Sequence, residues 1–304
     1  MQRLRKHLCT ILVLLFVVHS SARAQEIYAV TSDGNLSEWV TGEEPTPILA
    51  TGLYNVTGMV SSGTNLFILD GPTILEYTVT GQLVSNSLIT GLTNANSLAI
   101  SGTNLFVGYG GNTIGEYTTG GQTVNAALFT GLNGTGPIAV SGTDLFMESP
   151  NYSVGEYSTS SGQTLNPSLI NQVDHDGGDM VLSGSNLFFA VDLADGLDTD
   201  DFIAEYSLSG QEVNSLFSHA LDPGPMTATD SELAFWEPYD YDGSTLVVEI
   251  PTAEGAQNAE GLVQGSQALA ITFAVPEPQN DCMLLVGIVG IVALSAHKSR
   301  LRKL

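Results

Sequence analysis

From residue 26 to about residue 274 the chain alternates short apolar runs with clusters of Gly, Asn, Ser and Thr. Residues 97–100, 105–109, 113–117 and 127–130 show the pattern clearly, because each run is rich in β-branched and aromatic residues and turn residues separate the runs. Such a stretch predicts four short β-strands. No long amphipathic helical pattern occurs in this part of the chain, so the sequence predicts an all-β body.

The strand pattern repeats with a period near forty residues. Three markers keep a constant order within the repeat: a Ser-Gly-Thr-Asn-Leu-Phe segment, then a Glu-aromatic pair, then a Gly-Gln pair. The first marker occupies residues 62–67, 101–106, 141–146 and 183–188, with a degenerate copy at 231–235; the pairs are Glu38-Trp39, Glu76-Tyr77, Glu116-Tyr117, Glu156-Tyr157 and Glu205-Tyr206, then Gly81-Gln82, Gly121-Gln122, Gly162-Gln163 and Gly210-Gln211. Four-stranded units of this length are typical of the blades of a β-propeller.

The number and order of the units predict a closed ring of six blades. The first-strand pattern recurs six times, the last time at residues 269–272, whereas the second-strand pattern begins earlier, at residues 27–30. The C-terminal segment of the body should therefore supply the innermost strand of the blade that opens the chain, and this pairing latches the ring. The latch matters because Cys9 and Cys282 lie near the two ends of the chain, so the body has no disulfide.

The Glu-Tyr pairs allow two interpretations. One is structural: the aromatic residue fills the space between blades, and the acid faces solvent or bonds a neighbouring turn. The other is functional: the glutamates form a ring of carboxylates, one from each blade.

Charge is distributed very unevenly. All eight Lys and Arg residues lie in the two ends, and residues 25–274 contain 30 acidic residues and no basic one. A body of this kind cannot neutralise phosphates, so we expect no nucleic-acid partner. It attracts cations, above all calcium, or cationic surfaces, unless the acidic surface only keeps the protein soluble.

The repeat is interrupted once, and the inserted residues are rich in Asp. Successive Glu-Tyr pairs are forty residues apart, then forty-nine between Glu156 and Glu205. Aspartates with intervening glycines suit calcium, which takes six to eight oxygen ligands, although neither run fits the EF-hand pattern. The alternative is a solvated acidic loop. The candidate calcium ligands are Asp174, Asp176, Asp179, Asp192, Asp195, Asp198, Asp200 and Asp201.

Two further groups of residues are candidates for function. Trp236, Tyr239 and Tyr241 stand beside acids and could stack on sugar rings, or they could simply pack in a turn. The body has two histidines, His175 and His219, and a metal-assisted hydrolase built on Asp174, His175 and Asp179 is conceivable. The repeats resemble NHL and six-bladed lactonase-like domains in period and strand pattern only. No nucleophile elbow or HExxH helix is present, so we predict no catalytic residue.

The two ends carry targeting signals. Basic residues, an apolar run at residues 11–18 and small residues at the two positions Ala22 and Ala24 predict a signal peptide over residues 1–24. At the other end Val275, Pro276, Glu277 and Pro278 precede an apolar run at residues 283–296 and a basic stop. This tail resembles the sorting signal of PEP-CTERM proteins. The resemblance covers residues 275–304 and implies a C-terminal transmembrane helix, processing by an exosortase and association with extracellular polysaccharide.

Taken with the signal peptide, these features predict a protein exported across the inner membrane of a Gram-negative bacterium, anchored for a time or permanently, and then placed at the cell surface or in the matrix. The expected processing enzymes are signal peptidase and an exosortase. The propeller, residues 25–274, should be a non-enzymatic partner of exopolysaccharide or surface proteins. The alternatives are a calcium-dependent hydrolase or lactonase-like enzyme on the same ring, and a purely structural spacer.

Overall fold

The computed structural model describes most of the body of the chain. The described residues are 26–40, 48–171, 179–191, 202–219, 224–229, 232–239, 243–252, 255–265 and 268–274. Among them, no helix is long and apolar enough to cross a membrane. The predicted signal peptide and the predicted sorting tail, including Val275, Pro276, Glu277 and Pro278, lie outside the described residues.

The strands are short and follow one another through the chain. The first three are β1 (Glu26–Thr31), β2 (Asn35–Val40) and β3 (Ile48–Thr51). Blade I comprises β4 (Val56–Ser62), β5 (Asn65–Asp70), β6 (Thr73–Thr78) and β7 (Leu83–Thr90). Blade II comprises β8 (Ser97–Ser101), β9 (Asn104–Tyr109), β10 (Thr113–Thr118) and β11 (Thr123–Phe129). Blade III comprises β12 (Ile138–Ser141), β13 (Asp144–Ser149), β14 (Ser153–Ser158) and β15 (Gln163–Ile170).

The remaining strands complete the body. Blade IV comprises β16 (Met180–Ser183), β17 (Asn186–Val191), β18 (Phe202–Ser207) and β19 (Glu212–His219). Blade V comprises β20 (Met226–Ala228), β21 (Leu233–Tyr239), β22 (Gly243–Thr252) and β23 (Gly255–Gly265), and β24 (Ala268–Ala274) follows. Neighbouring strands within each blade are antiparallel.

Both ends of the body meet in one further sheet, here called the closing sheet, with the strand order β24-β1-β2-β3. Strand β24 pairs antiparallel with β1, and Ala29 lies opposite Ile271. The predicted pairing of the first and last strands is therefore confirmed. The propeller has five blades made of consecutive strands, not the six that the sequence predicts. The remaining four-stranded sheet is the closing sheet, which takes its innermost strand from the far end of the body.

The first strands of the blades surround the central axis. Strands β4, β8, β12, β16 and β20 each contact the next, and β24 lies between β20 and β4. Because strands alternate in direction, each connection into an inner strand lies at the same end of the sheet as the turn between the second and third strands. We call this the upper end. The turns between first and second strands and between third and fourth strands form the lower end.

The hydrophobic core lies between neighbouring blades. Between blades I and II, Phe67, Leu69 and Ile74 pack with Leu105 and Val107. Equivalent clusters fill the other described interfaces, and these side chains are almost fully buried. Aliphatic and aromatic residues at alternate strand positions form this core because successive side chains point to opposite faces of a sheet. Burial of these faces is the main favourable term for a body that has no disulfide.

The outer strands are interrupted in register. In blade II, Ile114 lies opposite Phe129 whereas Glu116 lies opposite Asn125, so two extra residues bulge outward in β11. The Asn125 carboxamide oxygen accepts the backbone N–H of Ala127 at 3.1 Å and closes the bulge. Blades I, III and IV have the same irregularity at the same place. Bulges on exposed edge strands oppose unwanted pairing with other chains.

Candidate functional site

The Glu-aromatic markers are structural where they are described. The glutamate accepts a hydrogen bond from the Asn of the first marker: Asn65 to Glu76 at 2.8 Å, Asn104 to Glu116 at 2.6 Å and Asn186 to Glu205 at 2.5 Å. The aromatic members Tyr77, Tyr117 and Tyr157, of the pairs in blades I, II and III, are buried in the clusters between blades. These contacts favour the structural interpretation over a ring of free carboxylates.

The other two markers hold the lower end together. The Ser101 hydroxyl donates to the Gly142 carbonyl of the next blade at 3.3 Å, and Ser183 donates to Thr229 at 2.5 Å. Gly121 of a Gly-Gln turn has a φ of 79°, and a Cβ atom there would lie 2.7 Å from the Leu88 carbonyl oxygen of the preceding blade. The regular part of the repeat is therefore used for blade-to-blade contact.

Those predicted functional residues that the structure describes belong to blades IV and V. Asp179 directly precedes β16 and is described. The backbones of Trp236 and Tyr239 lie in β21, and His219 is the last residue of β19. Outside the described residues are Tyr241, His175, Asp174, Asp176, Asp192, Asp195, Asp198, Asp200 and Asp201.

Asp179 connects the inner strands of two blades. Its Oδ1 accepts the backbone N–H of Met180 at 2.8 Å, and its Oδ2 accepts the backbone N–H of Met226, the first residue of β20, at 2.9 Å. The Asp179 carbonyl accepts the backbone N–H of Ala190 at 3.1 Å. Both carboxylate oxygens are thus turned toward backbone donors of β16 and β20.

A second carboxyl group, that of Glu148 in blade III, lies near enough to Asp179 for their charges to interact. Glu148 is 4% exposed, and two backbone hydrogen bonds fix its position, from its N–H to Pro137 O at 3.1 Å and from the Gly136 N–H to its own carbonyl at 3.0 Å. Burial raises the pKa of Glu148 to about 7, and the negative charge of Asp179 acts in the same direction. Burial also raises the pKa of Asp179, whereas the hydrogen bonds from Met226 and Met180 oppose that rise.

Both acids depart from the repeat. Glu148 is the fifth residue of its second strand, where blades I, II and IV have Leu69, Gly108 and Ala190. Asp179 immediately precedes Met180, the first paired residue of the inner strand of blade IV. At the equivalent position, blades III and V have Pro137 and Pro225. Two uncharged positions of the repeat have therefore become acidic in neighbouring blades, and they meet at one junction.

The upper end of blade III carries further polar and aromatic groups. Tyr152 is 37% exposed and has a φ of 60°, which is uncommon for a bulky residue and occurs here in the turn between β13 and β14. Beside it, Ser149 donates to Asn151 at 2.6 Å. A second exposed tyrosine, Tyr54, lies in the connection that leads into blade I.

A hydrogen-bonded link joins blade II to the connection into blade III. Thr135 Oγ1 donates to Asn96 Oδ1 at 3.0 Å, and Asn96 Nδ2 donates to the Thr135 carbonyl. The neighbouring Ser97 side chain is 5% exposed, and its hydroxyl has no hydrogen-bond partner among the described residues. Together with the carboxyl pair, these groups place several polar side chains at the upper ends of blades II to IV.

The carboxyl pair can either share a proton or offer oxygen atoms to a cation. Within the described ranges, no three side chains of His, Cys, Asp or Glu come together as a metal centre. The calcium site stays a prediction, because all its proposed ligands except Asp179 lie outside those ranges. Sequence reasoning included Asp179 but missed Glu148, although its acidic side chain at an apolar position of the repeat was a usable signal.

Comparison with known proteins supports the fold. No protein-family model matches the chain, and no curated protein is significantly similar to it. Among solved structures, TolB from Acinetobacter baumannii is similar with a TM-score of 0.64 and 12% identity, over 84% of this chain and 67% of TolB. A protein of unknown function from Bacteroides thetaiotaomicron has a TM-score of 0.56 and 11% identity, over 80% of this chain and 66% of that one. These likenesses show a propeller fold alone.

Proposed function

We propose that the chain is an exported, surface-associated β-propeller that binds extracellular polysaccharide or surface proteins without catalysing a reaction, and that the upper end is its binding end. One observation carries this proposal. The repeat markers are used in contacts between strands and blades, whereas Glu148, Asp179 and Tyr152 lie at the upper end and the Asp-rich insertions interrupt the repeat in the sequence. Function in repeat proteins is commonly located where loops depart from the repeat.

Export and sorting are part of the same proposal. The signal peptide supports translocation, and the Pro-Glu-Pro motif with its apolar run and basic stop supports processing by an exosortase. Mass spectrometry of the protein recovered from the cell exterior should find Gln25 as the first residue and a C-terminus near Pro278. A mature protein that retained residues 1–24 or the complete basic tail would contradict this part of the proposal.

Binding can be tested by co-sedimentation of residues 25–274 with the extracellular polysaccharide of the source organism, first with calcium and then with chelator. We expect the parent protein to co-sediment with the polysaccharide. The substitution Tyr152→Ala, which lies at the upper end, should weaken this co-sedimentation. Val124→Ala is the matched control, because Val124 is 52% exposed on the outer strand β11, away from that end. Equal loss in both variants, or no sedimentation in any condition, would contradict binding at the upper end.

Calcium dependence separates two versions of the proposal. If calcium bridges the Asp-rich insertions to the ligand, chelator abolishes co-sedimentation and Asp195→Asn with Asp198→Asn and Asp200→Asn has the same effect. If the acids only solvate the loops, the triple variant sediments as the parent does. A rise in the melting temperature of the parent with calcium, lost in the triple variant, measures the site without any polysaccharide.

The carboxyl pair favours a second candidate function, a calcium-dependent hydrolase or lactonase-like enzyme. A carboxyl group with a pKa near neutrality can act as a general acid or base, and Glu148 has a pKa of about 7. An esterase and lactonase screen with calcium present tests this candidate. Turnover that Glu148→Gln abolishes would favour the enzyme over the binding protein.

A further inference from the structure

One tyrosine at the upper end is exposed although the chain around it is fixed. Tyr54, in the connection from β3 to β4, is 66% exposed. The preceding residue, Leu53, is buried, and its backbone N–H donates to the Gly34 carbonyl of the β1–β2 turn at 3.1 Å. The following residue, Asn55, donates its backbone N–H to Asp70 Oδ1 at 3.0 Å. The backbone of Tyr54 is therefore held between the closing sheet and blade I.

The aromatic ring of Tyr54 is held as well. Gly34 has a φ of 79°, and a Cβ atom there would lie 2.5 Å from Tyr54 Cε1 and 2.8 Å from Cδ1. The ring thus lies directly against the backbone of the β1–β2 turn, in space that the side chain of another residue would need. Because the ring is positioned before a ligand arrives, contact with it costs little conformational entropy.

The tyrosine departs from the repeat at a position that the fold does not require to be aromatic. The connections into blades I, II and III all begin with Gly-Leu, and each leucine N–H donates to the turn between the second and third strands of the preceding sheet: Leu53 to Gly34, Leu92 to Pro72 and Leu132 to Asn112. The next residue is Tyr54 in blade I, Thr93 in blade II and Asn133 in blade III. Since short polar residues keep the same backbone contact, the exposed ring is an addition to the scaffold.

Two positioned carboxylates accompany Tyr54. Asp33, which is exposed in the β1–β2 turn, accepts hydrogen bonds from the Thr31 hydroxyl and, at 2.8 Å, from Asn35 Nδ2. Asp70, the last residue of β5, accepts the backbone N–H of the residue after Tyr54. Each ionised carboxylate has about four lone-pair sites, so both groups can also accept hydrogen bonds from ligand hydroxyls.

We propose that Tyr54, Asp33 and Asp70 form a subsite for a neutral sugar unit, in which the C–H face of the sugar ring packs on the tyrosine and hydroxyl groups donate to the carboxylates. This inference rests on the proposed function and names one subsite of its binding end. Acceptors from two different sheets beside an amphipathic aromatic ring suit hydroxyls at the rim of a sugar better than a single point charge. Residues 25–274 contain no Lys or Arg, so anionic sugars such as uronates are disfavoured.

The test measures binding of residues 25–274, which contain all six sheets, to hexasaccharides of neutral glucose, mannose and galactose, of glucosamine and of galacturonate. We expect binding to at least one neutral hexasaccharide and none to galacturonate. Tyr54→Thr should raise the dissociation constant about tenfold, whereas Tyr54→Phe should keep it within about threefold. Leu83→Thr is the matched control, because Leu83 is 53% exposed on the outer strand β7, and it should bind as the parent does.

Three results would overturn the subsite: no binding of any neutral hexasaccharide, tighter binding of glucosamine or galacturonate, or equal loss in Tyr54→Thr and Leu83→Thr. Tyr54→Thr installs the residue of blade II, so its melting temperature should stay within about 2 °C of the parent value. If it is less stable than that, amide NMR shifts of the parent decide without a variant. The bound hexasaccharide should shift Gly34, Leu53 and Asn55, and shifts confined to other residues would overturn the subsite.

Failure of the subsite and failure of the proposed function give different results in co-sedimentation with the extracellular polysaccharide of the source organism. If the parent and Tyr54→Thr sediment equally, the subsite is wrong and the binding function stands. If neither sediments, the binding function itself fails, and the subsite with it. Sedimentation of the parent that Tyr54→Thr weakens and Leu83→Thr leaves unchanged supports both.

Discussion

Side-chain identity at one position of the repeat decides whether the neighbouring glutamate is stabilised. In blades I, II and IV an Asn on the second strand donates to the glutamate of the third strand. Blade III has Asp144 at that position. Burial raises the pKa of Glu156, and the charge of Asp144 raises it further. Blade III therefore places two acids where blades I, II and IV have a hydrogen bond.

Replacement of Asp144 by Asn should restore the bond. We expect Asp144→Asn to raise the free energy of unfolding by about 1 kcal/mol, because a repulsive pair becomes a hydrogen bond to a charged group. Urea denaturation at pH 7 measures the change. Asn104→Asp in blade II is the reciprocal control and should cost a similar amount. A destabilising Asp144→Asn would show that the acid has another partner.

Glycine is required in the lower turns for backbone and for packing reasons. Gly121 has a positive φ, and a Cβ atom would approach the Leu88 carbonyl of blade I to 2.7 Å. We expect Gly121→Ala to cost at least about 1 kcal/mol. Gly120→Ala is a stringent control, since a Cβ atom on Gly120 would lie 3.6 Å from the nearest atom, Thr118 Oγ1, and the φ of Gly120 is not positive.

That control should change the unfolding free energy by no more than about 0.5 kcal/mol. Equal costs for the neighbouring glycines would mean that the turn, rather than the contact with blade I, limits stability.

At the scale of elements, the sequence predicts strands well and their irregularities poorly. Alternating apolar runs and turn residues identify β8, β9 and β10 to within one residue, because period and turn chemistry agree there. Strand β11 begins four residues before the predicted run at 127–130, because its first residues are polar or exposed. The pairing of β1 with β24 follows from the offset of the first-strand pattern. The bulges in the outer strands could not be predicted, since Asn125 and its equivalents resemble ordinary polar residues of exposed strands. The proximity of Glu148 to Asp179 depends on distances between blades, which no local pattern encodes.

The closing sheet makes the integrity of the ring depend on its last strand. Strand β24 pairs with β1 and lies between β20 and β4. Removal of residues 268–274 from the protein spanning 25–274 exposes the edge of β1 and opens the ring. We expect the cooperative transition to be lost, a cost comparable to the whole stability of a domain, about 5–15 kcal/mol.

Calorimetry of the two proteins tests this prediction. A shortened protein that unfolds cooperatively at the parent temperature would show that the five continuous blades are stable without the latch.

At the scale of the whole molecule, charge and architecture are both asymmetric. Residues 48–171 contain six acidic residues, whereas residues 172–274 contain nineteen. The first segment forms β3 and blades I to III, so the side of the ring built from it has few acids, and most acids of the body belong to the sequence that completes the other side. Neutral ligands are expected to favour the first side and cations the second. Both sides share the upper end, where the connections into the inner strands and the exposed residues Tyr54 and Tyr152 lie.

The most direct test of the central claim is hydrogen exchange of residues 25–274 with and without the extracellular polysaccharide. Binding at the upper end predicts slower exchange in the connections at residues 91–96 and 130–137 and in the turn at 150–152, with no change in the lower turns at 102–103 and 119–122. Protection confined to the lower turns or the outer strands would contradict the assignment of the binding end.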